Sequence, residues 1–316
     1  MLEHLKAPFP YMGGKSLVAH EIWKRIGNTV NYVEPFCGSA AVLLSRPEIG
    51  KVETINDYDC LIANLWRALG SDPDAVAFHA DNPVCEADLH ARQVWLINRK
   101  PELREQIYND TDYCDPKAAG WWIWGMSCWI GGGFCATKPV QKVPILTKVQ
   151  GINAMAFRRP HLGRDNGVIN KSENLREYFQ NLADRLRHVR RCCGDFERVL
   201  TPAVTTYHGL TAVFLDPPYA DTAARTANLY AEDDLQVAHR ARQWALANGD
   251  NPLFRICLAG YDGEHTIPET WECLSWKTQG GYGNQADATG KKNRDRERLW
   301  FSPHCLKAQQ EQEKLF

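Results

Sequence analysis

The sequence predicts an α/β fold in which buried strands alternate with helices, and two stretches of the chain carry this prediction. Residues 212–215 form a short apolar run of strand formers that two prolines terminate at once, as is typical of a buried strand. Residues 31–44 have the pattern of a strand, a tight glycine turn and a helix, and residues 52–55 have that of a second strand. Such alternation favours an open α/β sheet.

The motif Asp216-Pro217-Pro218-Tyr219 directly follows the strand over 212–215. In open α/β sheets, ligands bind in the crevice outside the carboxyl ends of the strands. A carboxylate and a proline carbonyl that accept the two N–H bonds of an aromatic amine would free its lone pair, while Tyr219 stacks on the ring. The motif therefore predicts a site that acts on the amine of adenine, although four residues alone also fit a strand that simply ends in a proline turn.

A nucleoside-binding pattern spans the first two predicted strands. Gly38 lies in the turn after the first strand, and Asp57 stands at the end of the second, 19 residues later. Glycine lets the backbone approach a ligand, and an acid at the next strand end accepts hydrogen bonds from ribose hydroxyls. The chain has neither Gly-x-Gly-x-x-Gly nor a phosphate loop, so a nucleoside cofactor without phosphates fits better, and we expect S-adenosylmethionine.

The length and composition of the chain limit the classes of function that it could have. The chain has 316 residues, 44% hydrophobic and 24% charged, which is ordinary for a globular protein with room for an insertion or a second domain. Its most apolar stretch is too short to span a bilayer, so we expect no membrane partner and a cytoplasmic location. Eleven cysteines without a Cys-x-x-Cys pair indicate reduced structural thiols and no metal.

The net charge of −1 conceals a segment that has no acid. Residues 116–164 contain no Asp or Glu. Their cations are Lys117, Lys138, Lys142, Lys148, Arg158, Arg159 and Arg164. We predict double-stranded DNA contacts from Lys138, Lys142, Arg158 and Arg159, and from Lys291 and Lys292 in the loop over 279–296. A long solvated loop is the alternative.

The remaining elements follow from periodicity and capping signals. The alternation of strands and helices is lost between residues 61 and 165, which indicates an inserted domain. The tryptophans of residues 121–129 are predicted to form a small domain's core rather than a surface for stacking bases. We also predict helices after a Ser16 cap and over residues 88–98, 174–189 and 232–248, with strands over 253–259 and 298–301.

Five motifs in order resemble the Dam-type (D12 class) DNA adenine N6-methyltransferases. They are Tyr11-Met-Gly-Gly-Lys15, Glu34-Pro-Phe-Cys-Gly38, Asn56-Asp57, Gly194-Asp-Phe196 and Asp216-Pro-Pro-Tyr219. The resemblance implies a Rossmann-like, mixed-sheet class I methyltransferase fold with an inserted, mainly helical target-recognition domain. Residues 1–61 and 166–316 would form the catalytic domain, and 62–165 the insertion.

The resemblance also implies roles for individual residues. Cofactor binding would fall to Tyr11, Lys15, Glu34, Phe36, Gly38, Asp57, Asp195, Phe196 and Asp216, with Asp57 at the ribose and Asp195 and Phe196 at the adenine ring. Catalysis would fall to Asp216, Pro217, Tyr219 and Lys15. The family often has a second glycine where this chain has Ala40. Residues 131–134 look like the family's hairpin, and 136–165 look like extra length.

The implied activity is site-specific methylation of a flipped-out adenine at N6 in duplex DNA, with S-adenosylmethionine as donor and without a metal. The recognised sequence, the oligomeric state and a partner restriction nuclease stay open. Cytosine C5 chemistry is disfavoured because no proline precedes a cysteine. Cytosine N4 and glutamine enzymes more often carry Ser or Asn where Asp216 stands. An RNA adenine methyltransferase and an inactive DNA-binding protein with the same fold remain the alternatives.

Overall fold

The computed structural model describes residues 5–11, 14–129, 134–135, 167–168, 174–218, 236–276 and 297–307 of the chain. The strands in these ranges are β1 (Asn31–Glu34), β2 (Val52–Asp57), β3 (Val189–Cys193), β4 (Thr211–Leu215), β5 (Phe254–Tyr261), β6 (Glu272–Ser275) and β7 (Glu297–Phe301). The helices are α1 (Ala19–Ile26), α2 (Ala41–Leu44), α3 (Cys60–Ser71), α4 (Pro73–Ala80), α5 (Glu86–Asn109), α6 (Pro116–Cys128), α7 (Leu175–Leu186) and α8 (Val237–Asn248).

All the described strands belong to one sheet of order β3-β2-β1-β4-β5-β7-β6. The first five strands in this order are parallel to their neighbours, whereas β7 is antiparallel to β5 and β6. The chain builds the sheet outward in one direction from β1 through β2 to β3, and in the other through β4 to β5. The crevice at the carboxyl ends of β1 and β4 is therefore the expected ligand site. This mixed sheet with flanking helices confirms the predicted fold class.

Both faces of the sheet are buried. Successive side chains of a strand point to opposite faces, and the two core clusters divide accordingly. Tyr32 and Phe214 join the cluster that contains residues of α1 to α7, whereas Val33, Val213 and Leu215 join the cluster that contains residues of α8. The apolar run over 212–215 is a fully buried strand, as the sequence predicts.

The described helices of the predicted insertion pack into the same core as the sheet. Trp122 and Trp124 are buried, but the cluster they belong to also includes Tyr32 and Phe214, so they share the core of the sheet and do not form a small domain's core of their own. Helix α3 begins at Cys60 and runs through the boundary predicted after residue 61. The division into a catalytic domain and an insertion over 62–165 stays a prediction.

Two edge strands are missing from the sequence prediction. The helix predicted over 174–189 ends at Leu186, and Val189–Cys193 forms β3, with Arg190 and Arg191 exposed on it. Strand β6 lies at the opposite edge and alternates half-buried with exposed residues. Charges are common on edge strands because they block pairing with other chains, so neither edge has the apolar pattern of a central strand.

The helix cap predicted at Ser16 is wrong. Helix α1 begins at Ala19 with Val18 at the N-cap position and no side-chain cap. The Val18 N–H donates to the Lys15 carbonyl at 3.0 Å and closes a turn, which places Ser16 ahead of the helix.

Candidate active site

Four neighbouring strands each lead to an acidic residue at their carboxyl ends. Asp195 follows β3, Asp57 ends β2, Glu34 ends β1 and Asp216 follows β4. All four side chains line one cavity of about 360 Å³, which lies within the range of small-molecule sites, roughly 300–1,000 Å³. The predicted site residues Tyr11, Lys15, Phe36 and Phe196 line the same cavity.

Gly38 forms the turn between β1 and α2 and holds Asp57. Its φ of 46° lies in the left-handed region that favours glycine. Its N–H donates to Asp57 Oδ2 at 3.0 Å, and its carbonyl accepts from Trp66 Nε1 at 3.2 Å. A Cβ here would lie 2.7 Å from two ring carbons of Tyr11. Both the backbone conformation and the close approach of Tyr11 therefore require the predicted glycine.

The Asp57 carboxylate is fixed by backbone donors on both of its oxygens. Oδ2 accepts from Gly38, and Oδ1 accepts the N–H of Asp59 at 3.0 Å. Burial raises the pKa of this carboxyl to about 7, although these backbone bonds act in the opposite direction. Because a carboxylate oxygen can accept two hydrogen bonds, acceptor capacity remains for a ligand hydroxyl.

Glu34 is 2% exposed and is held through one oxygen. Its Oε2 accepts from the Tyr32 hydroxyl at 2.9 Å and from the Leu43 N–H at 3.1 Å. Its Oε1 makes no hydrogen bond within the described part of the chain. Burial raises the pKa of Glu34 to about 8, and a cationic ligand group beside it would lower that pKa and ionise the carboxyl.

Lys15 and Asp216 form a buried ion pair. Lys15 Nζ lies 2.8 Å from both Asp216 oxygens, and the Lys15 side chain is 2% exposed against 21% for Asp216. Glu297 Oε2 of β7 lies 4.0 Å from the same ammonium. Burial lowers the pKa of Lys15, but the two carboxylates outweigh it and leave that pKa above its usual value. Lys15 is therefore a stable cation that orients Asp216.

An aromatic pair lines the cavity near Asp195. The Phe36 and Phe196 ring centroids lie 5.0 Å apart at an interplanar angle of 33°. Asp195 pairs with Arg240 of α8 at 3.0 Å. Neither Arg240 nor Glu297 was singled out from the sequence, because their partners are distant along the chain and no local motif includes them.

Comparisons with known proteins address the function of this site. The family model of D12 class N6 adenine-specific DNA methyltransferases matches residues 11–116. The chain carries a D12-class adenine methyltransferase domain. This match indicates an adenine-specific DNA methyltransferase, which supports DNA adenine methylation in general and implies DNA as the substrate. A comparison with curated proteins gave no match.

The D12-class match covers one part of the cavity's sequence. Tyr11, Lys15, Glu34, Phe36, Gly38 and Asp57 lie within the matched residues 11–116. Asp195, Phe196 and Asp216 lie beyond them and line the same cavity as the matched residues other than Gly38. Gly38 contacts the cavity residue Asp57 through its N–H. The roles of the single residues stay predictions.

Several predicted site residues lie outside the described ranges. They are Tyr219, Lys138, Lys142, Arg158, Arg159, Lys291 and Lys292. Lys117 of the acid-free segment is described, and its ammonium lies over the Trp95 and Trp121 rings at 5.0 and 4.4 Å from their centroids. No described helix is long and apolar enough to cross a membrane. Among the described residues, no group of three or more His, Cys, Asp or Glu could hold a metal ion.

Proposed function

We propose that this D12-class enzyme transfers the methyl group of S-adenosylmethionine to the exocyclic amine of an adenine flipped out of duplex DNA. The observation that carries the proposal is the buried Lys15–Asp216 pair, which opens onto the same cavity as three further carboxylates. The pair supplies an oriented carboxylate at the end of β4, and the cavity supplies groups that match a nucleoside with an ammonium.

The donors and acceptors of the cavity fit S-adenosylmethionine part by part. Glu34 Oε1 can accept from the methionine ammonium, and Asp57 from the ribose hydroxyls. Asp195 can accept from the adenine amine, with Phe36 and Phe196 against the ring. The described lining of the cavity is rich in acidic side chains, and its one Lys or Arg, Lys15, is paired with Asp216, which suits a nucleoside without a phosphate. When bound, this cofactor supplies a methyl group on a sulfonium.

Asp216 would accept a hydrogen bond from the target amine. Each of its oxygens already accepts from Lys15 and keeps capacity for one more donor. Burial raises the pKa of Asp216 above its usual value, although Lys15 opposes the shift, so the carboxylate is a better proton acceptor than a free aspartate. It can take the proton that the amine nitrogen loses as the new bond to carbon forms. Pro217 would accept the second N–H through its carbonyl.

The recessed position of Asp216 supports base flipping. Its side chain is 21% exposed at the cavity, and an adenine stacked in a duplex cannot bring its amine to such a site. Lys138, Lys142, Arg158 and Arg159 are proposed to hold the phosphates, with Lys291 and Lys292 as a second contact.

A methyl-transfer assay tests the proposal. Tritiated S-adenosylmethionine is incubated with the chain and with either duplex DNA or an RNA hairpin of mixed sequence, and the digested nucleosides are separated. We expect label in N6-methyldeoxyadenosine from duplex DNA. Higher incorporation into RNA would favour the RNA methyltransferase alternative, and DNA binding without incorporation into either would favour an inactive DNA-binding protein.

A further inference from the structure

Arg240 forms hydrogen bonds with two acidic side chains in the turn that follows β3. Its two terminal nitrogens donate to the two oxygens of Asp195, at 3.0 Å to Oδ2 and 3.1 Å to Oδ1. Its Nε donates to Glu197 Oε1 at 3.1 Å. A guanidinium that contacts both carboxylate oxygens fixes the plane of the carboxylate as well as its position. Helix α8, which carries Arg240, is thereby tied to one wall of the cavity.

The hydrogen bonds that Asp195 already makes leave one of its two carboxylate oxygens able to accept a further bond. Oδ1 accepts hydrogen bonds from Arg240 and from the Glu197 N–H at 3.0 Å, and these two bonds fill its acceptor capacity. Oδ2 accepts from Arg240 alone within the described part of the chain, so it can accept one further hydrogen bond. Burial raises the pKa of Asp195, but the bonds from Arg240 and the Glu197 backbone outweigh it and leave that pKa below its usual value. The carboxylate therefore stays ionised and acts as an acceptor at neutral pH.

The same guanidinium contacts the ring beside Asp195. Arg240 Cζ lies 5.0 Å from the centroid of the Phe196 ring, which itself lies 5.0 Å from the centroid of Phe36. Asp195, Phe196 and Phe36 all line the cavity. Arg240 on α8 thus contacts both the acceptor, Asp195, and the neighbouring Phe196 ring at this end of the cavity.

We propose that Arg240 is a positioning residue that aims Asp195 Oδ2 at the exocyclic amine of the cofactor's purine and so makes the cavity selective for adenine. The inference rests on the proposed function, because it takes a nucleoside cofactor as the ligand. A purine with hydrogen in place of the amine offers no donor to Oδ2. Lysine cannot replace arginine here, because an ammonium does not hold both carboxylate oxygens in one plane.

Binding measurements with two ligands test this role. S-adenosylhomocysteine is compared by calorimetry with its analogue that carries hydrogen instead of the 6-amino group. A hydrogen bond to a charged group contributes about 1.5–3 kcal/mol, so the parent chain should prefer the amine by roughly tenfold to a hundredfold. Arg240→Gln and Arg240→Lys should lose most of this preference by weakening the adenine ligand more than its analogue.

A double-mutant cycle and a helix control separate positioning from folding. In an Asp195→Asn background, Arg240→Gln should change the preference by less than about twofold, because the two residues act together. Arg242→Gln on the same helix, where Arg242 donates to the Thr266 carbonyl at 3.3 Å, should keep the parent's preference. Equal weakening of both ligands by Arg240→Gln, or an unchanged preference, overturns the proposal while S-adenosylhomocysteine binding still supports the cofactor. A parent chain that binds neither ligand overturns the cofactor assignment and this inference together.

Discussion

Lys15 Nζ lies 2.8 Å from each oxygen of Asp216, although 201 positions separate the two residues along the chain. The ammonium is almost fully buried and also lies 4.0 Å from Glu297 Oε2. Removing one member of a buried charge pair leaves the other uncompensated, which commonly costs about 3–5 kcal/mol. The pair therefore links activity to stability at this end of the sheet.

Replacing Asp216 by Asn should lower kcat for methyl transfer by about 10²–10³, because the amide presents one acceptor oxygen and places a donor beside Lys15. Binding of duplex DNA should stay within a few-fold of the parent, as measured by fluorescence anisotropy. Asp262→Asn is the control, since the Asp262 side chain pairs with Arg298 and is itself 61% exposed. Activity of Asp216→Asn near that of the parent contradicts the catalytic assignment.

Cofactor affinity should rise with pH as Glu34 ionises. The pKa of this carboxyl is about 8, so below that pH it must lose a proton before it can form an ion pair with an ammonium. Affinity for S-adenosylhomocysteine should fall by up to about tenfold for each pH unit below that pKa, with proton release detected by calorimetry in two buffers. Glu34→Gln should remove this dependence, and Asp57→Asn separates the contribution of Asp57, whose pKa is about 7.

Glu34 should also make the free protein less stable as pH rises. Its pKa is raised on folding from 4.5 to about 8, so the folded state binds the proton more tightly than the unfolded state. The stabilisation is fully present below about pH 4.5 and is lost as pH rises through about 8. Thermal unfolding across this window should show a flatter pH dependence for Glu34→Gln than for the parent. A parallel fall in both proteins would assign the dependence to other groups.

The sequence predicts the centre of this fold better than its edges, for physical reasons. Asp216 follows the fully buried apolar strand β4, and Asp57 ends the mostly buried strand β2, so local pattern alone places both at strand ends. Strand β3 is an edge strand and carries the charged residues Arg190 and Arg191. Because of these charges it lacks the apolar pattern by which the central strands are predicted. The Arg240–Asp195 pair depends on how α8 lies against the turn that follows β3, and no local sequence signal contains this.

Ala40 stores backbone strain that glycine would relieve. Its φ of 53° is left-handed, and it is fully buried at the start of α2. That conformation costs a residue with a Cβ about 1–2 kcal/mol, whereas losing the buried methyl costs about 0.8 kcal/mol. Ala40→Gly should therefore leave the free energy of unfolding unchanged or raise it by up to about 1 kcal/mol. Ala41→Gly, in the helix itself, should lower it by about 1 kcal/mol. Equal losses in chemical denaturation of the two variants would contradict the strain at Ala40.

The acid-free segment over residues 116–164 should provide the electrostatic contact with DNA. Each phosphate contact contributes about 0.9 to the slope of log affinity against log salt concentration on duplex DNA. Replacing Lys138, Lys142, Arg158 and Arg159 together by Gln should flatten that slope by up to roughly 3.6, without changing affinity for S-adenosylhomocysteine. Lys117→Gln is the matched control from the same segment, because its ammonium already lies over two indole rings. Titrations of both variants across salt concentrations decide the matter, and an unchanged slope in the quadruple variant would favour the loop that contains Lys291 and Lys292.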